Sequence, residues 1–246
     1  MPDKYALIIG SGFTQFASGE ADPLSDNRFG APSAPIRRSE FHGHNVLSIA
    51  RHGEPHTISP HAINYRANLL ALQEAGATAI IALNTVGVVS DIRASGEIAV
   101  PDQLLDYTWG RKHTIYDDGD AIDHIDFTHP FSSHLRRELL DAANHADIDC
   151  YDGGVYAATQ GPRLESAAEV DRLERDGADY VGMTAMPEAA LARELGLSYV
   201  CLALIVNKAA GRGDTPIHDD VEASTVSART LAESLLQQFF KGRIVS

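Results

Sequence analysis

An arginine and a histidine follow a short apolar run in the segment SIARHG, and their types suit the binding of an oxyanion. Arg51, at the end of a predicted buried strand, would offer a forked and permanent positive charge to phosphate oxygens. His52 stands beside it, and His56 and His61 follow in HGEPHTISPH. Taken alone, the segment also fits a surface ion pair beside solvated histidines. A metal site is not expected, because no HxH or HExxH helical spacing with a nearby carboxylate is present.

A second candidate anion site follows the apolar run at residues 5–9. The run leads into Gly10-Ser11-Gly12, where two glycines allow a sharp turn that exposes amide donors beside the Ser11 hydroxyl. A plain structural turn is the alternative. The spacing matches neither GxGxxG nor GxxxxGK[ST], so it does not support a dinucleotide site or a P-loop.

Two further apolar runs end in hydroxyl or amide groups, Asn84-Thr85 and Met183-Thr184. In open α/β sheets, ligands collect outside the carboxyl ends of the strands. Four strand ends that offer Ser, Arg/His, Asn/Thr and Thr can therefore converge on one anion. Singly, each of these groups also fits a helix cap or a turn.

The elements that must position these groups alternate between strand-length apolar runs and longer helical stretches. Several runs are apolar on both faces, which is typical of strands covered by helices. The alternation predicts one α/β domain over residues 1–246, with a largely parallel or mixed sheet flanked by helices. The predicted strands are residues 5–9, 46–50, 80–84, 97–101, 180–183 and 200–206, and the predicted helices are residues 62–75, 130–146, 163–176, 187–195 and 221–239. The polar segments 17–37 and 109–129 are predicted to be long loops.

Composition excludes several classes of protein. The 246 residues, 44% hydrophobic and 22% charged, are enough to bury a large core without disulfides or metals. The formal net charge of -14 repels nucleic-acid backbones and anionic membranes. Cys150 and Cys201 form no CxxC pair, which argues against a disulfide framework or a zinc site. No run has the form of a signal peptide or the roughly 20 apolar residues of a membrane span, so we expect a cytoplasmic protein with no nucleic-acid or membrane partner.

Six segments together point to one known family. They are IGSGF, RHGEPHTISPHAINYRANLLAL, NTVG, GVYAATQGPRLESAAE, GADYVGMTAMPEAALARELGL and LIVNK, within about residues 5 to 210. The chain resembles the trimeric purine nucleoside phosphorylases, and especially their methylthioadenosine phosphorylase branch; GPRLE and VGMTAMPEAALA are the most specific motifs. The resemblance implies a single domain with a central, mixed, partly barrel-like sheet surrounded by helices, and a homotrimer with active sites at subunit boundaries. It implies no cofactor and no metal, with phosphate as a co-substrate.

The resemblance also implies roles for individual residues. Met183 falls where the family packs the ribose. The positions of the family's phosphate ligands are occupied by Ser11, Arg51, His52, Asn84, Thr85 and Thr184. The positions around the base are occupied by Leu164, Glu165, Asn207, Lys208 and Ala209.

Two departures from the adenine-specific branch indicate which base is bound. In that branch GPRF is followed by serine, and an aspartate after the late strand meets the base; here GPRL is followed by Glu165, and the late strand ends in Asn207-Lys208. Glu165 can accept a hydrogen bond from N1–H of a 6-oxopurine, and the Asn207 amide can serve O6 and N7. Adenine has no proton on N1, so the carboxylate would face a lone pair. Outside these motifs, Glu165 also fits a helix-N-terminal glutamate and Asn207 a turn residue.

The chemistry implied is phosphorolysis of a 6-oxopurine nucleoside. Bound phosphate would stabilise the oxocarbenium charge that develops at C1′ of the sugar. Asn207, the predicted catalytic residue, would stabilise the purine anion through N7, and no covalent enzyme intermediate is needed.

Two histidines are alternative candidates for the contact with the 5′ end of the sugar. His124 resembles the histidine that the methylthio branch contributes across the subunit boundary, which favours S-methyl-5′-thioinosine as the substrate, with hypoxanthine and 5-methylthioribose 1-phosphate as products. His218, in the sequence HDDV with Asp220 and Val221, resembles the HEEV element of inosine and guanosine enzymes, whose histidine meets the 5′-hydroxyl. We expect the methylthio substrate, and inosine or guanosine is the alternative.

Two other classes fit the sequence less well. A nucleoside hydrolase normally holds calcium with a DxDxxxDD-type run, which this chain lacks. A non-catalytic nucleoside-binding protein would keep the Ser11 turn, yet it would have no reason to pair Glu165 with Asn207.

Overall fold

Eleven strands and five α-helices form within the part of the chain that the computed structural model describes. That part comprises residues 4–10, 19–213 and 217–243, without the side chains of residues 218–220. The strands are β1 (Tyr5–Ile9), β2 (Glu20–Ala21), β3 (Arg37–Phe41), β4 (His44–Ala50), β5 (Ala79–Val88), β6 (Ile98–Val100), β7 (Gln103–Asp106), β8 (Cys150–Asp152), β9 (Val155–Ala158), β10 (Tyr180–Gly182) and β11 (Ser198–Lys208). The helices are α1 (Tyr65–Glu74), α2 (Ser133–His145), α3 (Ala167–Arg175), α4 (Ala185–Glu194) and α5 (Ile217–Lys241), and a short 3₁₀ helix lies at Pro60–Ala62.

All eleven strands belong to one mixed sheet. Its main path runs β2-β3-β4-β1-β5-β10-β9-β7, while β11 pairs with β5 and β6, and β6 pairs with β8. Parallel pairs such as β1 with β4 occur beside antiparallel pairs such as β3 with β4. The mixed sheet with flanking helices confirms the predicted α/β fold class.

The strand pairing along one edge of β5 is interrupted, and the candidate site lies at this interruption. β11 runs parallel to β5 along its whole length, from residue 79 to residue 88. The other edge of β5 pairs with β1 over residues 79–82 and with β10 only at residues 87 and 88. Among the described strands, none pairs with this edge at residues 83–86. Polar groups can therefore reach the backbone of β5 within this gap.

The core lies on both faces of the sheet. Alternate residues of β1 belong to different apolar clusters, Ala6 and Ile8 to one and Leu7 and Ile9 to the other, as the period of two in a strand requires. The first cluster includes side chains of α1 and α4, and the second includes side chains of α2 and α5. Because helices cover both faces, the central strands are apolar throughout, which is why they were predicted from the sequence.

Helix α3 begins later than predicted, and this affects one candidate residue. Ser166 is its N-cap: the Ser166 hydroxyl accepts from the backbone N–H of Glu169, and the Glu169 carboxylate accepts from the N–H of Ser166. The helix therefore starts at Ala167 and not at residue 163. Glu165 lies in the loop before the cap and not in the first turn of the helix.

The other predicted elements are present, most of them with shifted ends. β1 has the predicted bounds, whereas β5 and β11 continue to Val88 and Lys208, beyond the predicted ends. The five unpredicted strands are β2, β3, β7, β8 and β9. Within the residues described, every helix is too short or too polar to cross a bilayer.

Candidate active site

Arg51 occupies the gap in the edge of β5, where it follows β4 and is almost completely buried. Its Nε and Nη2 donate to the two carboxylate oxygens of Glu188 at 2.6 and 3.0 Å, and Nη1 donates to the carbonyl of Leu83 at 2.9 Å. A Cβ on Gly10 would lie 2.8 Å from Nη1, so a larger residue would collide with the guanidinium. Burial disfavours the charge, but the pairing with Glu188 outweighs burial and keeps the pKa of Arg51 above its ordinary value. Arg51 is therefore a fixed cation.

His52 stands beside Arg51 as a neutral ring. Its Nδ1 lies 2.8 Å from the carbonyl oxygen of Ile58, and a carbonyl can only accept, so Nδ1 carries the proton. Burial, together with the charge of Arg51, lowers the pKa of His52 to about 4. The ring stacks on that of His56 with centroids 4.3 Å apart. At neutral pH the Nε2 of His52 is consequently an acceptor, which suits a protonated phosphate oxygen.

Two threonines line the cavity, Thr85 from within β5 and Thr184 just after the end of β10, so Thr85 does not lie at a strand end as predicted. The Oγ1 of Thr184, between β10 and α4, accepts from the Nδ2 of Asn84 at 2.8 Å, which leaves the Thr184 proton for another acceptor. The Oδ1 of Asn84 accepts in turn from the thiol of Cys201 at 3.4 Å. Successive side chains of a strand point to opposite faces, so Thr85 lines the cavity while Asn84 is buried behind it. Asn84 thus orients the hydroxyl of Thr184.

A carboxylate and an amide lie on a second part of the wall, and both are half-buried. The Oε1 of Glu165 accepts from the hydroxyl of Thr159 at 2.7 Å. The Nδ2 of Asn207 donates to the carbonyl of Lys208 at 2.7 Å, where the pairing of β11 with β5 becomes irregular. Such an irregularity re-aims a strand side chain. Oε2 of Glu165, together with the carbonyl oxygen and second N–H of Asn207, can still bond to a ligand.

Both groups of residues line one cavity of about 320 Å³. That volume is in the range of small-molecule sites, at roughly 300–1,000 Å³. Its polar side chains are Arg51, His52, Thr85, Thr184, Glu165 and Asn207. Its apolar wall includes Pro60, Val86, Leu164, Val181, Met183, Val206, Ala209, Ala210, Ile217 and Val221. The cavity combines donors for an anion with a carboxylate and an amide that match the edge of a heteroaromatic ring.

The family model of the phosphorylase superfamily matches residues 4–241 of this chain. The chain belongs to the phosphorylase superfamily. This confirms the resemblance drawn from the motifs.

Relatives of known name lie within this superfamily. The probable S-methyl-5'-thioinosine phosphorylase of Xanthomonas campestris pv. campestris is 54% identical over 214 residues, 85% of each chain. The 6-oxopurine nucleoside phosphorylase of Pyrococcus furiosus is 37% identical over 226 residues, 89% of this chain and 84% of the relative. The solved structure of methylthioadenosine phosphorylase from Schistosoma mansoni in complex with tubercidin superposes with a TM-score of 0.88 at 27% identity, covering 97% of this chain and 91% of that one.

The structure brings most of the predicted site residues to the cavity of about 320 Å³. Those that line it are Arg51, His52, Thr85, Leu164, Glu165, Met183, Thr184, Asn207, Ala209 and Val221. Three others are not part of its wall: Asn84 is buried behind Thr184, Lys208 is exposed, and His124 is exposed in the loop after β7. Ser11 and the side chains of His218 and Asp220 lie outside the described residues. The role of each residue toward a ligand stays a prediction.

Sequence reasoning missed the residues that act behind the wall. Glu188 is fully buried and pairs with Arg51, although it stands 137 positions away. Its signal in the sequence was a single carboxylate inside the apolar stretch MPEAALA. Two apolar residues of the wall were also missed: Val181, inside the motif VGMTAMPEAALA, and Ile217, directly before HDDV. Within the described chain, no group of three or more His, Cys, Asp or Glu side chains is placed to hold a metal ion.

Proposed function

We propose that this chain catalyses the phosphorolysis of a 6-oxopurine nucleoside. The substrate that we propose is S-methyl-5′-thioinosine, which phosphate would convert to hypoxanthine and 5-methylthioribose 1-phosphate. One observation carries the proposal: a single cavity joins Arg51, His52 and Thr184 to Glu165 and Asn207. The names of the relatives from Xanthomonas and Pyrococcus support the same reaction class.

In the proposed reaction, the phosphate binds between the Arg51 guanidinium and the threonine hydroxyls. Arg51 and the hydroxyls of Thr85 and Thr184 donate to its oxygens, and the neutral His52 accepts from its hydroxyl group. The anion then lies below C1′ of the sugar, where positive charge develops as the glycosidic bond breaks. Bond cleavage is accelerated by positioning and by electrostatic stabilisation, without a covalent enzyme intermediate and without a cofactor.

The leaving base is recognised by Glu165 and Asn207. Oε2 of Glu165 accepts from N1–H of hypoxanthine, while the amide of Asn207 donates to N7 or O6 as negative charge develops on the purine. A 6-aminopurine places a lone pair opposite the carboxylate, and this unpaired contact discriminates against it. Leu164 and Ala209, which line the cavity, complete the predicted surroundings of the base, whereas Lys208, predicted with them, is exposed outside the wall.

The 5′ substituent is assigned from the apolar wall. Ile217 and Val221 at the start of α5, together with Pro60 and Met183, present apolar surface to the cavity. Such surface suits a methylthio group better than a hydroxyl, because a buried hydroxyl without a partner is costly. Inosine or guanosine is the second candidate, and it would require the His218 side chain to meet the 5′-hydroxyl, with Asp220 close by.

We also propose a cytoplasmic homotrimer. The exposed His124 would then contribute to the cavity of a neighbouring subunit. Both cysteines are free, Cys150 half-buried and Cys201 buried, which fits a reducing compartment. Light scattering of the purified chain tests the assembly: a mass of three chains supports it, and a monomer contradicts it.

The reaction is tested by measuring base release from S-methyl-5′-thioinosine, inosine and methylthioadenosine, each with and without phosphate. We expect phosphate-dependent release of hypoxanthine, fastest from the methylthio nucleoside, and little release of adenine. Faster cleavage of inosine would favour the alternative substrate. Faster cleavage of methylthioadenosine would contradict the assignment of Glu165 and Asn207, and no release from any of them would support a binding protein instead.

A further inference from the structure

Glu188 is a fully buried carboxylate that does not line the cavity. It follows Pro187 in α4, and both of its oxygens are engaged: Oε1 accepts from Nε of Arg51, and Oε2 accepts from Nη2 of Arg51 and from the hydroxyl of Tyr199 at 2.8 Å. Tyr199 lies in β11 and is itself buried. Glu188 thus extends from α4 to Arg51 at the end of β4, and Tyr199 of β11 holds it in this position.

The arrangement fixes which N–H groups of Arg51 stay free. A guanidinium has five N–H groups. One on Nε and one on Nη2 go to Glu188, and one on Nη1 goes to the carbonyl of Leu83. One N–H on each Nη remains, and Arg51 is part of the cavity wall. By accepting the other three N–H groups, Glu188 and the Leu83 carbonyl fix the direction of the two that remain on Arg51.

Stability alone does not explain a pair of this kind. Removing two charges from water costs free energy that their attraction seldom exceeds, and apolar residues of similar volume often serve a fold equally well. Arg51 forms part of the proposed anion-binding wall, and the buried Glu188 stands directly behind it. Asn84 is likewise buried behind this wall, where it orients the hydroxyl of Thr184, which lines the cavity. Of the eight buried polar residues in the described part of the chain, five thus lie in this wall or directly behind it: Arg51, His52, Asn84, Thr184 and Glu188.

We propose that Glu188 is a positioning residue for the inorganic phosphate co-substrate. It holds the Arg51 guanidinium so that one N–H on each Nη meets the phosphate, and Tyr199 holds Glu188 in turn. The inference rests on the proposed phosphorolysis and adds to it a residue that touches no substrate. It also implies that Glu188 already balances the charge of Arg51 before phosphate binds. The affinity for phosphate then depends on oriented hydrogen bonds more than on net charge.

The test compares three variants with the unchanged protein. Glu188→Gln replaces one acceptor by an amide that confronts an Arg51 N–H, and Tyr199→Phe removes only the third hydrogen bond. Asp22→Asn is the matched control, because Asp22 binds Arg38 through the same Nε and Nη2 geometry at an exposed position away from the cavity. For each protein, the KM values for phosphate and for the nucleoside are measured, with circular dichroism and the thermal shift produced by inorganic phosphate alone.

Glu188→Gln is expected to raise the KM for phosphate about tenfold or more, as the loss of one charge-assisted hydrogen bond predicts. The KM for the nucleoside should change by no more than about twofold, because the Arg51 N–H groups that Glu188 orients bind the phosphate and not the nucleoside. Tyr199→Phe should show a smaller rise of the phosphate KM, and Asp22→Asn none. The stabilisation by inorganic phosphate should decrease in the same order.

The outcomes separate the two proposals. Absence of phosphate-dependent turnover in the unchanged protein would overturn the proposed function itself. With turnover present, an unchanged phosphate KM in a folded Glu188→Gln variant, or an equal rise in both KM values, would overturn the positioning role. If Glu188→Gln does not fold, Tyr199→Phe decides: a selective rise in the phosphate KM supports the role, and no change contradicts it.

Discussion

At the scale of single residues, Glu165 sets the choice of base in the proposed reaction. Only its Oε1 has a partner among the described residues, the hydroxyl of Thr159. A glutamine at this position could turn its amide to donate to N1 of adenine as well as accept from N1–H of hypoxanthine. We therefore expect Glu165→Gln to lower the preference for S-methyl-5′-thioinosine over methylthioadenosine, measured as the ratio of kcat/KM, by about tenfold or more.

A matched control for this substitution is Glu174→Gln, which neutralises an exposed carboxylate paired with Arg212. It should leave the ratio unchanged. An undiminished preference in Glu165→Gln would show that the carboxylate does not face the base.

His52 gives a prediction for the effect of pH. Its pKa is lowered from 6.5 to about 4, chiefly by burial, and the pKa of His56 is lowered in the same way. Between pH 6.5 and 4 the unfolded chain binds a proton at His52 that the folded protein does not bind, so the free energy of unfolding falls as the pH falls. Urea unfolding from pH 7.5 to 5 should show a smaller fall in His52→Gln than in the unchanged protein.

The control for the pH experiment is His134→Gln. The side chain of His134 is 70% exposed, beside Glu138, so this variant should keep the slope of the unchanged protein. Equal slopes in the His52 and His134 variants would contradict the neutral, buried His52.

Local sequence predicted most of the cavity wall but not what holds it in place. Arg51 and Thr184 stand directly after apolar runs, so their position at strand ends could be inferred from local pattern. The contacts of Arg51 with Glu188 and of Asn84 with Thr184 join residues 137 and 100 positions apart. Such contacts depend on how distant strands meet, which hydrophobic periodicity does not specify.

At the scale of elements, Arg111 joins the segments that carry the site. It lies in the loop after β7, and its guanidinium donates to the carbonyls of Met183 and Met186 at 2.7 and 2.6 Å and to those of Thr159 and Gln160 at 3.2 and 2.8 Å. Met183 follows β10 and Met186 lies at the start of α4, whereas Thr159 and Gln160 follow β9. The predicted long loop at residues 109–129 thus connects the segment that carries Met183 to the segment that follows β9.

Replacing Arg111 by lysine should weaken this connection, because an ammonium has three donors and no fork to span both segments. We expect the melting temperature to fall by roughly 5 °C and the nucleoside KM to rise several-fold, with a smaller change in the phosphate KM. Lys112→Met, at the exposed neighbouring residue, is the control and should change neither quantity. An Arg111→Lys variant with the melting temperature and KM of the unchanged protein would show that the loop does not hold the two segments.

Strands were predicted only where burial made them apolar. β1, with all five residues buried, has the predicted bounds, whereas β3 has the sequence RRSEF and alternates between half-buried and exposed residues. β3 takes its strand form from pairing with β4, and the half-buried β7 takes its form from pairing with β9. β9 is itself apolar and mostly buried, but a run of four residues is too short to identify from periodicity. A strand such as β7 depends on a neighbour that is far away in the sequence, so a local pattern cannot identify it.

At the scale of the whole molecule, the proposed co-substrate and the protein carry charges of the same sign. The formal net charge is -14 at pH 7, and the arginine in the anion site is paired with a carboxylate. The long-range field of the protein therefore opposes the approach of phosphate, while the contacts inside the cavity act only at short range. The nucleoside is uncharged and does not experience this repulsion.

Salt should consequently help phosphate to bind. Raising the ionic strength from about 0.01 to 0.15 M shortens the Debye length from about 30 to 8 Å, which screens the surface carboxylates but not the hydrogen bonds in the cavity. We expect the KM for phosphate to fall about two- to threefold over this range, while the KM for the nucleoside stays constant. Steady-state assays at fixed pH, with potassium chloride as the added salt, measure both. A phosphate KM that rises with salt would mean that an unbalanced positive charge attracts the anion, which would contradict the balanced Arg51 and Glu188 pair at the centre of the site.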